Sequence, residues 1–325
     1  MPFRTPHRPA NVARMRRIAV VALTLALTAC VKVGAPPPEI QPGPVESQDP
    51  DSIVVGSFDF TESRILAHIY ARALREKGLQ VDLETDVGPR EVLSPALEQG
   101  LIDIVPEYLG TALQFMSIGR SDPTPDTAAA HASLKEELAP RGLAVLAPAP
   151  AQDQNGFVVR PATAEEYDLQ SISDLEPVAK TLRFGGPPEC PTRPFCLQGL
   201  EQTYDLDFES FVALDTGGPV TVTALEQEQV DVALLFTTDP HIASGDFILL
   251  EDDRRLQPAE NIAPIVRSDV VERYGRRVVT ALNSVSAQIT TADLSDLNAA
   301  VDLDGRTPDD VARGWFETRG TSGSP

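Results

Sequence analysis

From residue 53 onward, short apolar runs alternate with stretches whose apolar positions recur every three or four residues. IVVGSF at 53–58 predicts a strand that stops at Gly56-Ser57. It delivers its loop to a helix over 62–77, where Ile65, Ile69 and Ala73 share one face and Gly78 ends the periodicity. Asp59 followed by Glu62 predicts a capping box at the start of that helix. A second strand at 79–87, a helix at 89–100 opened by Pro89 and closed by Gly100, and a third strand at 101–108 repeat the unit. Strands separated by helices predict a parallel sheet covered on both faces, with ligand at the carboxyl ends of the strands.

An alanine-rich helix at 127–138 is followed by an extended stretch, 143–160, that reads as a crossing into a second α/β set. There a capping box from Ser173 to Glu176, strands at 182–186, 207–214 and 230–236, and helices at 199–206 and 218–229 alternate again. Extended runs at 247–253 and 262–267 predict the return crossing. Three helices, 269–289, 292–301 and 308–318, the last capped by Thr307, finish the chain. The expectation is a hinged clamp, with residues 52–155 and 264–320 as lobe I and 156–263 as lobe II.

Charge and composition narrow what such a clamp does. The chain holds 48 acidic against 27 basic residues, a net charge of −21. Arg4, Arg8, Arg14, Arg16 and Arg17 all precede Cys30, so the remainder is more acidic still. Such a surface repels phosphates and anionic headgroups, and no nucleic acid is expected as a partner. The basic start leads into an apolar run at 18–29, too short for a bilayer that needs about twenty apolar residues. Residues 1–29 therefore read as a signal peptide. Leu27-Thr28-Ala29-Cys30 resembles the lipobox of bacterial lipoproteins, which implies a lipid on Cys30. Residues 30–51, with Pro36, Pro37, Pro38, Pro42, Pro44 and Pro50, read as a tether; at about 3.1 Å per residue it would reach on the order of 60 Å.

Beyond Cys30 the cysteines are Cys190 and Cys196, in PPECPTRPFCLQG. A disulfide is the first reading and free thiols the second. No metal site is expected, because His68, His131 and His241 stand at no ligand spacing to those cysteines. The chain also lacks G-x-S-x-G, H-E-x-x-H and a glycine-rich phosphate loop, and DLDGRTPDD lacks the spacing of a calcium loop. Neither catalysis nor a cofactor is expected.

The ordered set VVGSFDFTES, EQGLIDIVPEYLGTAL, ISDL, LRFGGPPE, VDVALLFTTD, ILLEDD, IAPIVR and LNAAVDLDGRTPDDVA resembles the substrate-binding proteins of ABC importers for glycine betaine, choline and related osmoprotectants. The resemblance covers nearly the whole chain after the tether. It implies an α/β, two-lobed periplasmic-binding-protein-like type II fold: two α/β domains joined by a two-stranded hinge, with ligand in the interlobe cleft. It further implies a monomeric lipoprotein on the outer face of the bacterial cell membrane, handing a quaternary-ammonium or small zwitterionic ligand to an ABC permease with its ATPase. Two alternatives stay open: the same fold binding an ergothioneine-like or amino-acid-like zwitterion, and a ligand sensor or surface interaction lipoprotein.

A quaternary ammonium has no hydrogen to donate and is held over aromatic faces, at roughly 0.5 to 2 kcal/mol per face. A carboxylate at the ligand's far end wants an arginine fork. Tyr108, in PEYLGT, matches a cage tyrosine of the family, and Phe236, in LLFTTD, an aromatic position. Phe58, in the GSFDF run with Phe60, stands where relatives carry the lysine that helps bind the carboxylate. Pro258-Ala259-Glu260-Asn261 stands where they show paired prolines and a tyrosine, leaving Asn261 as a candidate contact. Arg90, in VGPRE, and Arg193, in PTRPF, are the candidate replacement cations. Thr61, Thr111, Thr237 and Thr238 are candidate hydroxyl donors, Asp59 and Glu107 candidate counter-charges, and Asn155 a candidate for the cleft or the hinge.

Overall fold

The computed structural model describes residues 52–121 and 124–320. The expected signal peptide, the lipid-bearing Cys30 and the tether lie outside the described residues. The first part of the chain runs β1 (Ile53–Gly56), α1 (Thr61–Glu76), β2 (Val81–Glu84), α2 (Arg90–Glu98), β3 (Ile104–Tyr108), α3 (Leu109–Met116), α4 (Thr127–Leu138) and β4 (Leu143–Val145). The second runs β5 (Asn155–Val159), α5 (Pro161–Tyr167), β6 (Arg183–Gly186), α6 (Leu197–Tyr204), β7 (Ser210–Ala213), α7 (Pro219–Glu226), β8 (Val232–Phe236), α8 (Pro240–Ser244) and β9 (Ile248–Leu249). The chain then returns with β10 (Ile262–Arg267) and ends in α9 (Ser268–Tyr274), α10 (Arg276–Ser286), α11 (Thr291–Asp302) and α12 (Pro308–Gly320).

Two five-stranded sheets result, β2-β1-β3-β10-β4 and β7-β6-β8-β5-β9. In each, a single strand runs against the other four: β10 lies antiparallel to both its neighbours in the first sheet, and β5 does so in the second. The parallel strands at the centre are almost continuously apolar because helices cover both their faces; β1 and β3 are buried at every position. The first sheet packs against α1 and the C-terminal helices around Ile65, Leu66, Tyr70 and Leu282. The second has its own cores, one around Phe157, Phe184 and Leu200 and one around Leu225 and Leu235. The molecule is thus a two-lobed α/β protein.

Strand order fixes where a ligand can sit. From β1 the first sheet grows outward to β2 and then doubles back to β3 on the other side; the second does the same from β6 to β7 and then β8. Helices leave on opposite faces at such a reversal, so a crevice opens at the carboxyl ends of the two central strands. The carboxyl ends of β1, β3, β6 and β8, or the residues just beyond them, line one cavity between the sheets. The crossing segments run side by side beneath it: Gln152 bridges Asn261, and the Asp153 amide donates to the Glu260 carbonyl at 3.1 Å.

Some local expectations change. Phe60, not Asp59, precedes α1 as its cap, and no side chain caps it; the Glu62 carboxylate is engaged elsewhere. The capping box in the second lobe joins Ser171 to Asp174 rather than Ser173 to Glu176, in the phase that buries Ile172 and Leu175. The expected 269–289 helix is two helices, because Gly275, at φ +60°, adopts a conformation that an α-helix cannot continue through. Among the described residues, no helix is long and apolar enough to cross a membrane.

Candidate functional site

Five aromatic residues line the cavity, and four of them, Phe58, Phe60, Tyr108 and Phe236, form one packed cluster, with Phe195 apart from it. β1 presents Phe58 and Phe60 in a loop held by its own polar groups: Ser63 Oγ accepts from the Phe58 amide at 2.9 Å, and Ser57 Oγ from the Asp86 amide at 3.2 Å. The Phe60 ring lies 5.8 Å from Phe58, 6.0 Å from Tyr108 at the end of β3, and 4.9 Å from Phe236 at the end of β8 in the other lobe. The aromatic wall is therefore shared by both lobes. Tyr108 is anchored at its far end, where Oη donates to Glu62 Oε1 at 2.7 Å. Glu62 Oε2 also accepts from Thr238 Oγ1 at 2.6 Å and Asn298 Nδ2 at 3.1 Å.

A second layer is made of carboxyl groups. Arg90, the first residue of α2, grips Glu107 through Nε at 2.9 Å and Nη2 at 2.8 Å, a bidentate fork, and its guanidinium lies 5.1 Å from the Phe58 ring. Burial opposes the charge on Arg90, but Glu107 outweighs it and holds its pKa above the usual arginine value. Glu260 comes from the return crossing and accepts from the Gly110 and Thr111 amides at 3.1 and 2.9 Å, the free N–H groups at the start of α3. This approach needs Gly110: a Cβ there would stand 2.3 Å from Pro258. Burial lifts the Glu260 pKa to about 8, against the opposing pull of Arg90.

Asp153, on the outgoing crossing, uses Oδ1 to accept from Thr237 Oγ1 and the Thr238 amide, at 3.0 and 3.1 Å. Its Oδ2 is buried with no hydrogen-bond partner among the described residues. Burial first, then the neighbouring Glu62, raises its pKa well above the usual carboxylate range. Burial raises Glu62 in the same direction, and burial with Glu62 raises Tyr108.

Nine of the residues singled out in the sequence line this cavity: Phe58, Asp59, Phe60, Arg90, Tyr108, Thr111, Asn155, Arg193 and Phe236. Five lie outside its wall: Thr61, Glu107, Thr237, Thr238 and Asn261. Thr61 donates to Asp302, Thr237 holds Asp153, and Asn261 pins the crossing by accepting from Thr127 Oγ1 and donating to the Ala149 carbonyl. Arg90 and Arg193 arrive already paired. Arg193 donates to Glu91 on the opposite lobe at 2.6 Å and lies 5.2 Å from the Phe115 ring. Glu107 serves Arg90, and Thr238 serves Glu62. Sequence reading missed Asp153, Glu260, Gln114, Glu189 and Thr216 on the wall and Glu62 behind it. Glu62 reads as a cap, and Asp153 and Glu260 sit in polar crossing segments whose pairing no periodicity reports. Cys190 and Cys196 are placed at bonding distance, with Cα atoms 5.2 Å apart, beneath the loop that carries Arg193. Among the described residues, no group of His, Cys, Asp or Glu could hold a metal ion.

The cavity measures about 120 Å³, room for a small solute and not for a peptide. A family described as the substrate binding domain of ABC-type glycine betaine transport systems matches residues 51–318. The chain is 30% identical over 271 residues to the glycine-betaine-binding protein of Pseudomonas aeruginosa, covering 81% of this chain and 86% of that protein. It is 26% identical over 279 residues to the carnitine transport binding protein of Listeria monocytogenes, covering 82% and 86%. Among solved structures it is similar to a glycine betaine/carnitine/choline ABC transporter at a TM-score of 0.65 and 24% identity, covering 82% of this chain and 98% of the other. It is also similar to apo YehZ of Escherichia coli at a TM-score of 0.59 and 25% identity, covering 83% and 99%. The family match runs through both lobes and both crossings, and the chain belongs to the substrate-binding domains of ABC-type glycine betaine transport systems, solute-binding proteins rather than enzymes.

Proposed function

We propose that this protein captures a quaternary-ammonium solute of the glycine betaine, choline and carnitine class in its interlobe cavity and delivers it to an ABC permease. The observation that carries the reading is the four-ring wall, Phe58, Phe60, Tyr108 and Phe236, contributed by both lobes and backed by carboxyl groups. An alkylated ammonium offers no hydrogen-bond donor, so several ring faces in a low-dielectric cavity are the chemistry that holds it. Because Phe60 and Phe236 come from different lobes and pack against each other, a cation resting against both favours the closed clamp, the form a permease can distinguish from the empty one. The names of the relatives support the same class.

The remaining expectations complete this reading: export by residues 1–29, a lipid on Cys30, a disulfide between Cys190 and Cys196, and a monomer acting outside the cytoplasm. Thiol titration of the denatured protein with and without reductant tests the disulfide, and mass spectrometry of the mature N-terminus tests the lipid. The function itself is tested by calorimetric titration with glycine betaine, choline, carnitine, proline betaine and ergothioneine. At least one quaternary ammonium binds, and Phe60→Ala weakens it roughly tenfold or more, about the loss of one to two ring contacts. Silence from every compound, or undiminished affinity in Phe60→Ala, rejects the proposal.

A further inference from the structure

The charges around the cavity are not those a zwitterion needs. Asp59, Asp153, Glu189 and Glu260 line it, against Arg90 and Arg193. Both arginines bring their own anions, Glu107 and Glu91, and neither of those two carboxylates lines the cavity. The Nε and Nη2 edge of Arg90, the edge that would clasp a ligand carboxylate in a fork, is already clasped by Glu107. A carboxylate entering here therefore meets no unmatched cation among the described residues that line the cavity.

Asp153 offers the complementary half. It is buried, it lines the cavity, and its Oδ2 lacks a donor while Oδ1 is saturated by Thr237 and Thr238. A buried acceptor without a donor carries an uncompensated desolvation cost, which a ligand hydroxyl or N–H would remove. The groups facing it are themselves acidic or neutral: Glu62 from α1 and Tyr108 from β3. A positive charge nearby stabilises such a carboxyl in its ionised form, and a negative one adds to the repulsion.

We infer that the site selects small cationic amines bearing a hydrogen-bond donor, the amino-alcohol type exemplified by choline, over zwitterions ending in a carboxylate, with Asp153 as the residue that discriminates between them. This rests on the proposed quaternary-ammonium function and adds the charge class of its ligand. The raised pKa values of Asp153 and Glu62 accord with it: without a ligand, burial disfavours their ionised forms, and a bound cation is what would restore them.

Choline and glycine betaine share the trimethylammonium head and differ at the other end, so paired calorimetric titrations of the protein isolate the difference. Choline binds at least tenfold more tightly to the wild type. Asp153→Asn, which keeps the Oδ1 acceptor of Thr237 and Thr238, puts an NH2 donor in place of Oδ2 and removes the charge, weakens choline tenfold or more and leaves glycine betaine unchanged or tighter. Glycine betaine binding as tightly as choline or more so in the wild type overturns the inference while leaving the proposed function standing. Equal weakening of both ligands in Asp153→Asn overturns the role of Asp153, and binding of neither ligand to the wild type overturns inference and function together. The wild-type ratio needs no variant and decides the ligand class even where Asp153→Asn does not fold.

Discussion

Glu260 shows how a single side chain sets conditions for the whole cleft. It is buried, it closes the start of α3 through the Gly110 and Thr111 amides, and its folded pKa of about 8 lies above the ordinary 4.5. Between those values the unfolded chain releases a proton that the folded chain keeps, so the stability from this group is complete below about pH 4.5 and falls as pH rises towards 8. The span corresponds to an effect on the order of a few kcal/mol. Glu62 and Asp153 are shifted in the same direction; His68, lowered by burial, works in the opposite one at lower pH. Comparison with Glu260→Gln separates the contributions: urea midpoints of the wild type decline from about pH 5 to about pH 8.5 more than those of the variant. Parallel curves refute the assignment.

At the scale of elements, the lobes are joined by more than their crossings. The loop between β6 and α6 sends Arg193 to Glu91 on α2 and places its guanidinium against Phe115 on α3. Arg193 is partly buried and Glu91 half-exposed, so solvent screens the pair and it contributes at most about 1 kcal/mol. That suffices to bias an equilibrium between open and closed clamps by a few-fold. Glu91→Gln should weaken ligand binding about two- to fivefold in dilute buffer, with the difference shrinking in roughly 0.5 M salt as screening shortens the reach of the charges. If Arg193 instead clasped a ligand carboxylate, Arg193→Ala would penalise glycine betaine and spare choline. Titration of both variants with both ligands distinguishes a latch from a ligand contact.

For the whole molecule, a cavity built from two lobes couples binding to stability. A ligand touching Phe60 and Phe236 stabilises both lobes and their arrangement, whereas the unfolded chain has no such site. At a ligand concentration of about a hundred times Kd the gain is about 2.7 kcal/mol. For a protein of this size that raises the unfolding temperature by roughly 4 to 6 °C. Scanning calorimetry with and without ligand checks it, and the two lobes should melt in one transition once ligand is bound. Two unchanged transitions would show that the ligand engages a single lobe.

The alternation of apolar runs and amphipathic stretches determined the α/β character, most element positions and the two crossings, because burial imposes a local period of 2 or 3.6 that any core position must obey. The aromatic residues of the cleft were legible for a related reason: Phe58, Phe60, Tyr108 and Phe236 all sit where an apolar strand ends. Charge partners have no such period. Arg90 meets Glu107 because the strand order puts β3 beside β1, near the start of α2, and Glu260 meets Gly110 because β10 returns antiparallel along β3. Those encounters join residues 17 and 150 positions apart. The sequence by itself thus determined a two-lobed frame with aromatic residues at its strand ends. Only the tertiary structure decided that both arginines are neutralised and that Asp153 and Glu260 line the interlobe cavity, since electrostatic pairing depends on distances that the packed fold alone sets.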